Sequence, residues 1–100
     1  MSLIAETVLR EKKRIEFMIE EYQQQLSELP RGTISATHTG NNTYYYLKYR
    51  ENGKVVSRYL TTAEKEELSG RIEERRHIEN MLKSLKDELK FANKALGVNQ

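Results

Sequence analysis

The residues best suited to bind a ligand lie in one run, Thr43 to Leu60, TYYYLKYRENGKVVSRYL. Five of the six tyrosines (Tyr44, Tyr45, Tyr46, Tyr49 and Tyr59) are interleaved there with four basic residues, Lys48, Arg50, Lys54 and Arg58. Lysine and arginine neutralise phosphates, and tyrosine stacks on bases or hydrogen-bonds to sugar, so this mixture suits a nucleic acid. The ordinary alternative for each tyrosine is cross-strand packing, which aromatic residues favour.

Other chemistry is poorly supported. His38 and His77 lie in different elements, with no His-x3-His or Asp/Glu cluster at metal-ligand spacing, and there is no cysteine for thiolate chemistry. No serine or threonine has a recognisable His/Asp companion. The five glycines are isolated, so no phosphate-cradling loop forms. Glu66-Glu67 and Glu73-Glu74 read as solvated helix surface. No catalytic residue, metal or cofactor is expected, and an enzyme is not expected.

Composition points the same way. One hundred residues fit one domain, with 37% hydrophobic and 32% charged residues. That balance suits long helices with narrow buried stripes rather than a large core. The net charge of +2 is unevenly spread. Residues 1–30 hold four basic and six acidic residues, residues 31–60 five and one, and residues 61–100 eight of each. The positive excess therefore sits in the middle segment and favours a polyanion. No apolar run approaches the roughly 20 residues needed to span a bilayer, and no apolar leader is legible. A cytoplasmic protein without a membrane role is expected.

Two long helices must carry the middle segment. From Leu3 to about Leu29 the seam Ala5, Val8, Ile15, Ile19, Tyr22, Leu26, Leu29 repeats at heptad spacing, with Lys12 as a polar interruption. Pro30 ends that helix. Thr61 and Glu64 form a capping-box pattern, so a second helix is expected over about 62–96, with Gly97 as its stop. Gly70, inside it, marks a kink or a close approach of helix to sheet.

Between them, three strands are expected at about 33–38, 43–50 and 54–60. Asn52-Gly53 is a strong type I′ hairpin signal. It opposes Glu51 to Lys54, and hence Tyr49 to Val56, Leu47 to Arg58 and Tyr45 to Leu60. A two-residue turn at Gly40-Asn41 opposes Ala36 to Tyr45 and Ile34 to Leu47. Side-chain alternation then separates a core face (Ile34, Ala36, Tyr45, Leu47, Tyr49, Val56, Leu60, with Arg58 at its edge) from an open one. The open face carries Ser35, Thr37, Tyr44, Tyr46, Lys48, Arg50, Val55, Ser57 and Tyr59.

The expected fold is α+β: a long N-terminal helix, a three-stranded antiparallel meander and a long C-terminal helix. About 23 Å of strand needs about 15 helical residues to traverse. Residues 62 to about 75 should therefore cover the sheet with Leu68 and Ile72, and the remainder should pair antiparallel with the first helix. Ile4, Leu9, Phe17, Met18, Met81 and Phe91 fall off that seam, so a homodimer through the helices is the expected outlet.

Residues 32–64 also resemble a known module, on Gly32-Thr33-Ile34, Tyr49-Arg50, Asn52-Gly53-Lys54, Arg58 and Thr62-Ala63-Glu64. The pattern resembles the arm-type (AP2-like) N-terminal DNA-binding domain of phage integrases. That resemblance implies a sheet whose open face enters the major groove. Carried onto this chain, it implies contacts from Tyr44, Tyr46, Lys48, Arg50, Ser57 and Tyr59. The whole layout, with Leu29-Pro30-Arg31-Gly32-Thr33-Ile34, Tyr44 to Arg50 and Gly53-Lys54-Val55, is similar to a small uncharacterised prokaryotic helix–three-strand–helix family. Two functions follow as expectations. One is nucleic-acid binding through the open sheet face. The other is a dimeric coiled-coil module that recruits a protein partner and has no nucleic-acid role.

Overall fold

The computed structural model describes residues 2–97. Helix α1 (Leu3–Ser27) is followed by strands β1 (Thr33–Thr39), β2 (Asn42–Glu51) and β3 (Lys54–Leu60), then helix α2 (Thr62–Ala95). The strands form one antiparallel sheet in the order β1-β2-β3.

Local chemistry accounts for each boundary. Ser2 caps α1, its hydroxyl accepting from the Ala5 backbone N–H at 3.1 Å. Pro30 disfavours helical geometry at Leu29, and α1 has already ended. Arg75 then donates to the Leu29 carbonyl at 2.9 Å, tying the chain leaving α1 to α2. The β2–β3 turn has positive φ at both Asn52 (51°) and Gly53 (78°), the type I′ geometry. In the β1–β2 turn only Gly40 (61°) has positive φ, as a type II′ turn requires. The resulting register opposes Ala36 to Tyr45, Ile34 to Leu47, Tyr45 to Leu60 and Glu51 to Lys54.

The start of α2 is a reciprocal capping box. Glu64 N–H donates to the Thr61 hydroxyl at 3.2 Å, and Thr61 N–H donates to the Glu64 carboxylate at 3.1 Å. The Arg58 guanidinium adds a bond to the other carboxylate oxygen at 3.2 Å. These donors favour the ionised form, and the backbone and hydroxyl bonds to Thr61 lower the Glu64 pKa more than Arg58 does. With the folded value below the ordinary 4.5, the stabilisation is complete above the ordinary carboxylate range and is lost as pH falls through the depressed value. Melting of the protein should therefore drop more between about pH 6 and about pH 2.5 than that of Glu64→Gln, which keeps an acceptor but not the charge. Equal drops in a calorimetric comparison would remove this role from Glu64.

The chain forms two compact units, Leu29–Arg76 and the remainder, residues up to Glu28 with those from His77 on. In the first, residues 62–76 of α2 cover one face of the sheet. Leu47, Leu60 and Ile72 are buried there, and Ile34, Tyr45, Tyr49 and Leu68 pack against them. Lys65 places its ammonium 4.9 Å from the centroid of the Tyr45 ring, a cation–π contact that shields that tyrosine. Ala36 shares this face by alternation and stands across Tyr45 from Leu60, yet it is exposed on the edge strand. β1 and β2 continue past Leu60, the end of β3. Residues 37–44 are consequently a two-stranded ribbon, exposed throughout.

Gly70 does not mark a close approach of α2 to the sheet. A Cβ built there meets no atom within 4 Å, and α2 is unbroken from Thr62 to Ala95. A glycine at such a helical position costs about 1 kcal/mol relative to alanine.

In the second unit, α1 packs on the C-terminal half of α2. Ile15, Ile78, Leu82, Leu85 and Ala92 are buried. Thr7 to Ile15 and Asp87 to Ala95 line one cleft, so the early part of α1 meets the late part of α2 and the helices run antiparallel. Asn93 is also buried, and its Oδ1 lacks a hydrogen-bond partner. Off the seam, Leu3, Ile4, Phe17 and Phe91 are exposed, the last at 75%.

Candidate nucleic-acid interface

The sheet face turned away from α2 is set by the two hairpin turns, because each fixes which residues stand opposite one another. Tyr46 lies between Ser35 and Tyr59, Lys48 between Thr33 and Ser57, Tyr44 opposite Thr37, and Arg50 opposite Val55. Directly opposed residues in an antiparallel sheet point to the same side. All six residues singled out from the sequence therefore share one face. Along β2, Tyr44, Tyr46, Lys48 and Arg50 follow one another at about 6.8 Å intervals, two residues apart.

The three tyrosines are brought together. Tyr46 meets Tyr59 edge-on, with ring centroids 5.8 Å apart, and Tyr44 lies 6.5 Å from Tyr59 at a tilt of 52°. Edge-to-face packing of this kind holds rings in place with about 0.5–1.5 kcal/mol beyond burial. Tyr46 is half-buried between its neighbours, whereas Tyr44 and Tyr59 are exposed. Tyr45 and Tyr49 lie on the covered face and belong to the core.

The charge distribution is one-sided. No position on this face is occupied by Asp or Glu: the one carboxylate between residues 31 and 60, Glu51, alternates to the other side opposite Lys54. Lys48 and Arg50 are exposed, and among the described residues neither has a carboxylate partner. Arg58 differs. It sits on the covered face and its guanidinium is engaged by Glu64. The free cations of the face are thus Lys48 and Arg50, not the whole basic set of the middle segment.

Three further polar residues share the face: Thr33, Thr39 and Asn42. They were legible in principle, since alternation places them once the strands are extended to Thr39 and Asn42. Val55, exposed at 64%, gives the face an apolar spot beside Arg50. Among the described residues no group of three or more His, Asp or Glu is placed to hold a metal ion. None of the described helices is long and apolar enough to cross a membrane.

No curated protein and no solved structure matches the chain. Residues 6–70, which take in nearly all of α1, the whole sheet and the first turns of α2, match the model of a domain of unknown function, DUF6788, and the chain belongs to that family.

Proposed function

We propose that this protein is a non-catalytic binding module that holds nucleic acid on the open face of its sheet. The observation that carries the reading is the asymmetry of that face. Lys48 and Arg50 stand in line with a packed tyrosine trio, with no carboxylate on the face to neutralise them. A face with only a solvent role has no need of three clustered tyrosines. Lys48 and Arg50 would contact phosphates, while Tyr44, Tyr59 and the flanking hydroxyl of Ser57 contact sugar or base. The likeness of residues 32–64 to the arm-type domain of integrases points the same way, and by that likeness the ligand is duplex DNA entered through its major groove.

A salt titration tests the reading. Two phosphate contacts per chain give a slope of log K against log salt of about −1.8 on duplex and about −1.4 on single strands. Absence of binding to either form at low salt would end the proposal.

A specific feature favours a second reading, association through the helices with a protein-interaction role. Phe91 is exposed beside a cleft of about 500 Å³ whose apolar lining includes Val8, Ile15 and Ala92. On this reading Phe91→Glu halves the mass of the assembly in solution and leaves nucleic-acid binding per chain unchanged.

A further inference from the structure

β1 is an edge strand. It pairs with β2 on one side and among the described residues with nothing on the other. Sheet edges left open to solvent are normally blunted by lysine, proline, a bulge or a covering element. β1, TISATHT, has no Lys, Arg, Asp, Glu or Pro, and its seven pairs with β2 run without a bulge. The charge-free stretch extends from Gly32 to Leu47, in a chain that is 32% charged. The opposite edge, β3, carries Lys54 and Arg58.

A cleft of about 310 Å³ lies beside this unprotected edge. Thr33 and Ile34 form its β1 side, and Ser69, Gly70, Ile72 and Glu73 are among the α2 residues on the other. Gly70 sharpens the point. Its own fold does not require glycine, since a Cβ would meet nothing within 4 Å, yet glycine keeps the cleft open in mid-helix. Edge, cleft and glycine together describe a seat for one more strand.

We propose that this seat is filled by β1 of a second copy, paired antiparallel about a twofold axis at Ala36, so that two sheets join into one of six strands. Parity selects that register. A one-residue slip would turn covered-face side chains outward, so the axis must pass through a residue rather than between two. Of the residues in β1, only Ala36 as centre pairs all seven positions. Ala36 then meets Ala36, and Ser35 meets Thr37 of the second copy on the open face, a stabilising hydroxyl pair. On the covered face His38 of the second copy comes opposite Ile34, at the cleft whose polar wall includes Glu73. The strand is thus complementary to itself over its whole length, which argues for a second copy over an unrelated peptide. The inference does not depend on what the open face binds.

Sedimentation or light scattering of the full chain gives the test. The protein at high micromolar concentration should show an assembly of at least two chains, and Ala36→Lys should halve its mass by setting like charges at the axis. Ala36 is exposed in the single chain, so circular dichroism should be unchanged. Gly70→Gln fills the cleft while improving helix propensity. It should also halve the mass, and should melt about 4–8 °C above Ala36→Lys when both are single chains. The proposal is overturned if the unmodified protein is a single chain at that concentration, or if both variants retain its full mass. It is equally overturned if the edge captures an extended peptide of another protein while the chain itself stays single.

Discussion

Lys48→Glu/Arg50→Glu should abolish nucleic-acid binding. A hydrogen-bonded contact to a charged group contributes about 1.5–3 kcal/mol, and the lower figure applies here because both side chains are exposed. Two lost contacts then total about 3 kcal/mol, roughly a hundredfold in affinity, before any repulsion of phosphate by the new carboxylates. Non-specific binding starts at micromolar to submillimolar Kd, so that loss carries it out of range of a fluorescence-anisotropy titration. Lys83→Glu/Lys86→Glu, with the same change in net charge on exposed residues of α2, serves as the control. If the control weakens binding as much as the sheet variant, the attraction belongs to overall charge and the open face has no special part. Tyr59→Ala should weaken binding by a smaller factor, about 1–3 kcal/mol where the ring stacks on a base.

Gly32→Ala should destabilise the sheet unit more than alanine at any other glycine of the chain. Gly32 has φ of +127°, a region L-residues rarely enter, and a Cβ there would sit 2.7 Å from the Lys48 carbonyl oxygen and 3.0 Å from Leu47 Cδ1. Backbone strain of this kind costs about 1–3 kcal/mol, and overpacking against backbone and a core leucine adds about 1–3 kcal/mol. The sum, on the order of 4 kcal/mol, is a large share of the stability of a domain this size. Chemical denaturation followed by circular dichroism measures it. Gly70→Ala is the matched comparison, since a Cβ there meets nothing and alanine favours the helix. A Gly32→Ala protein as stable as the parent would mean that the start of β1 relaxes away from β2, and that the register does not depend on this glycine.

Much of the architecture was legible because it is written in local rules. The positive φ demanded at Asn52 and Gly53 admits few residues, so that pair announces its turn and thereby the pairing from Tyr45–Leu60 to Glu51–Lys54. The capping box at Thr61 and Glu64 needs only residues three apart, and the structure forms both of its bonds. The period of two along β2 separates Tyr44 and Tyr46 from Tyr45 and Leu47 without knowledge of any other element. The length of the sheet predicts the span of α2 that covers it, and α2 leaves the sheet unit at Arg76.

What was not legible depends on how the elements pack against one another. Arg58 reads as one more cation of the basic run, but Glu64 takes up its charge once α2 folds back over β3. Ala36 reads as core, but it is exposed on the edge strand, across Tyr45 from Leu60. Asn93 stands among the buried residues of α2 although it is polar. Gly70 reads as a kink or a close approach of helix to sheet, and the empty space around its missing side chain excludes the close approach. The sequence by itself determined the elements, the hairpin register and the two faces of the sheet, because turn geometry and side-chain alternation act between near neighbours. Which cations on those faces stay free, and which edge stays open, was decided by tertiary structure alone, because charge pairing and burial are set by partners that the chain brings together only on folding.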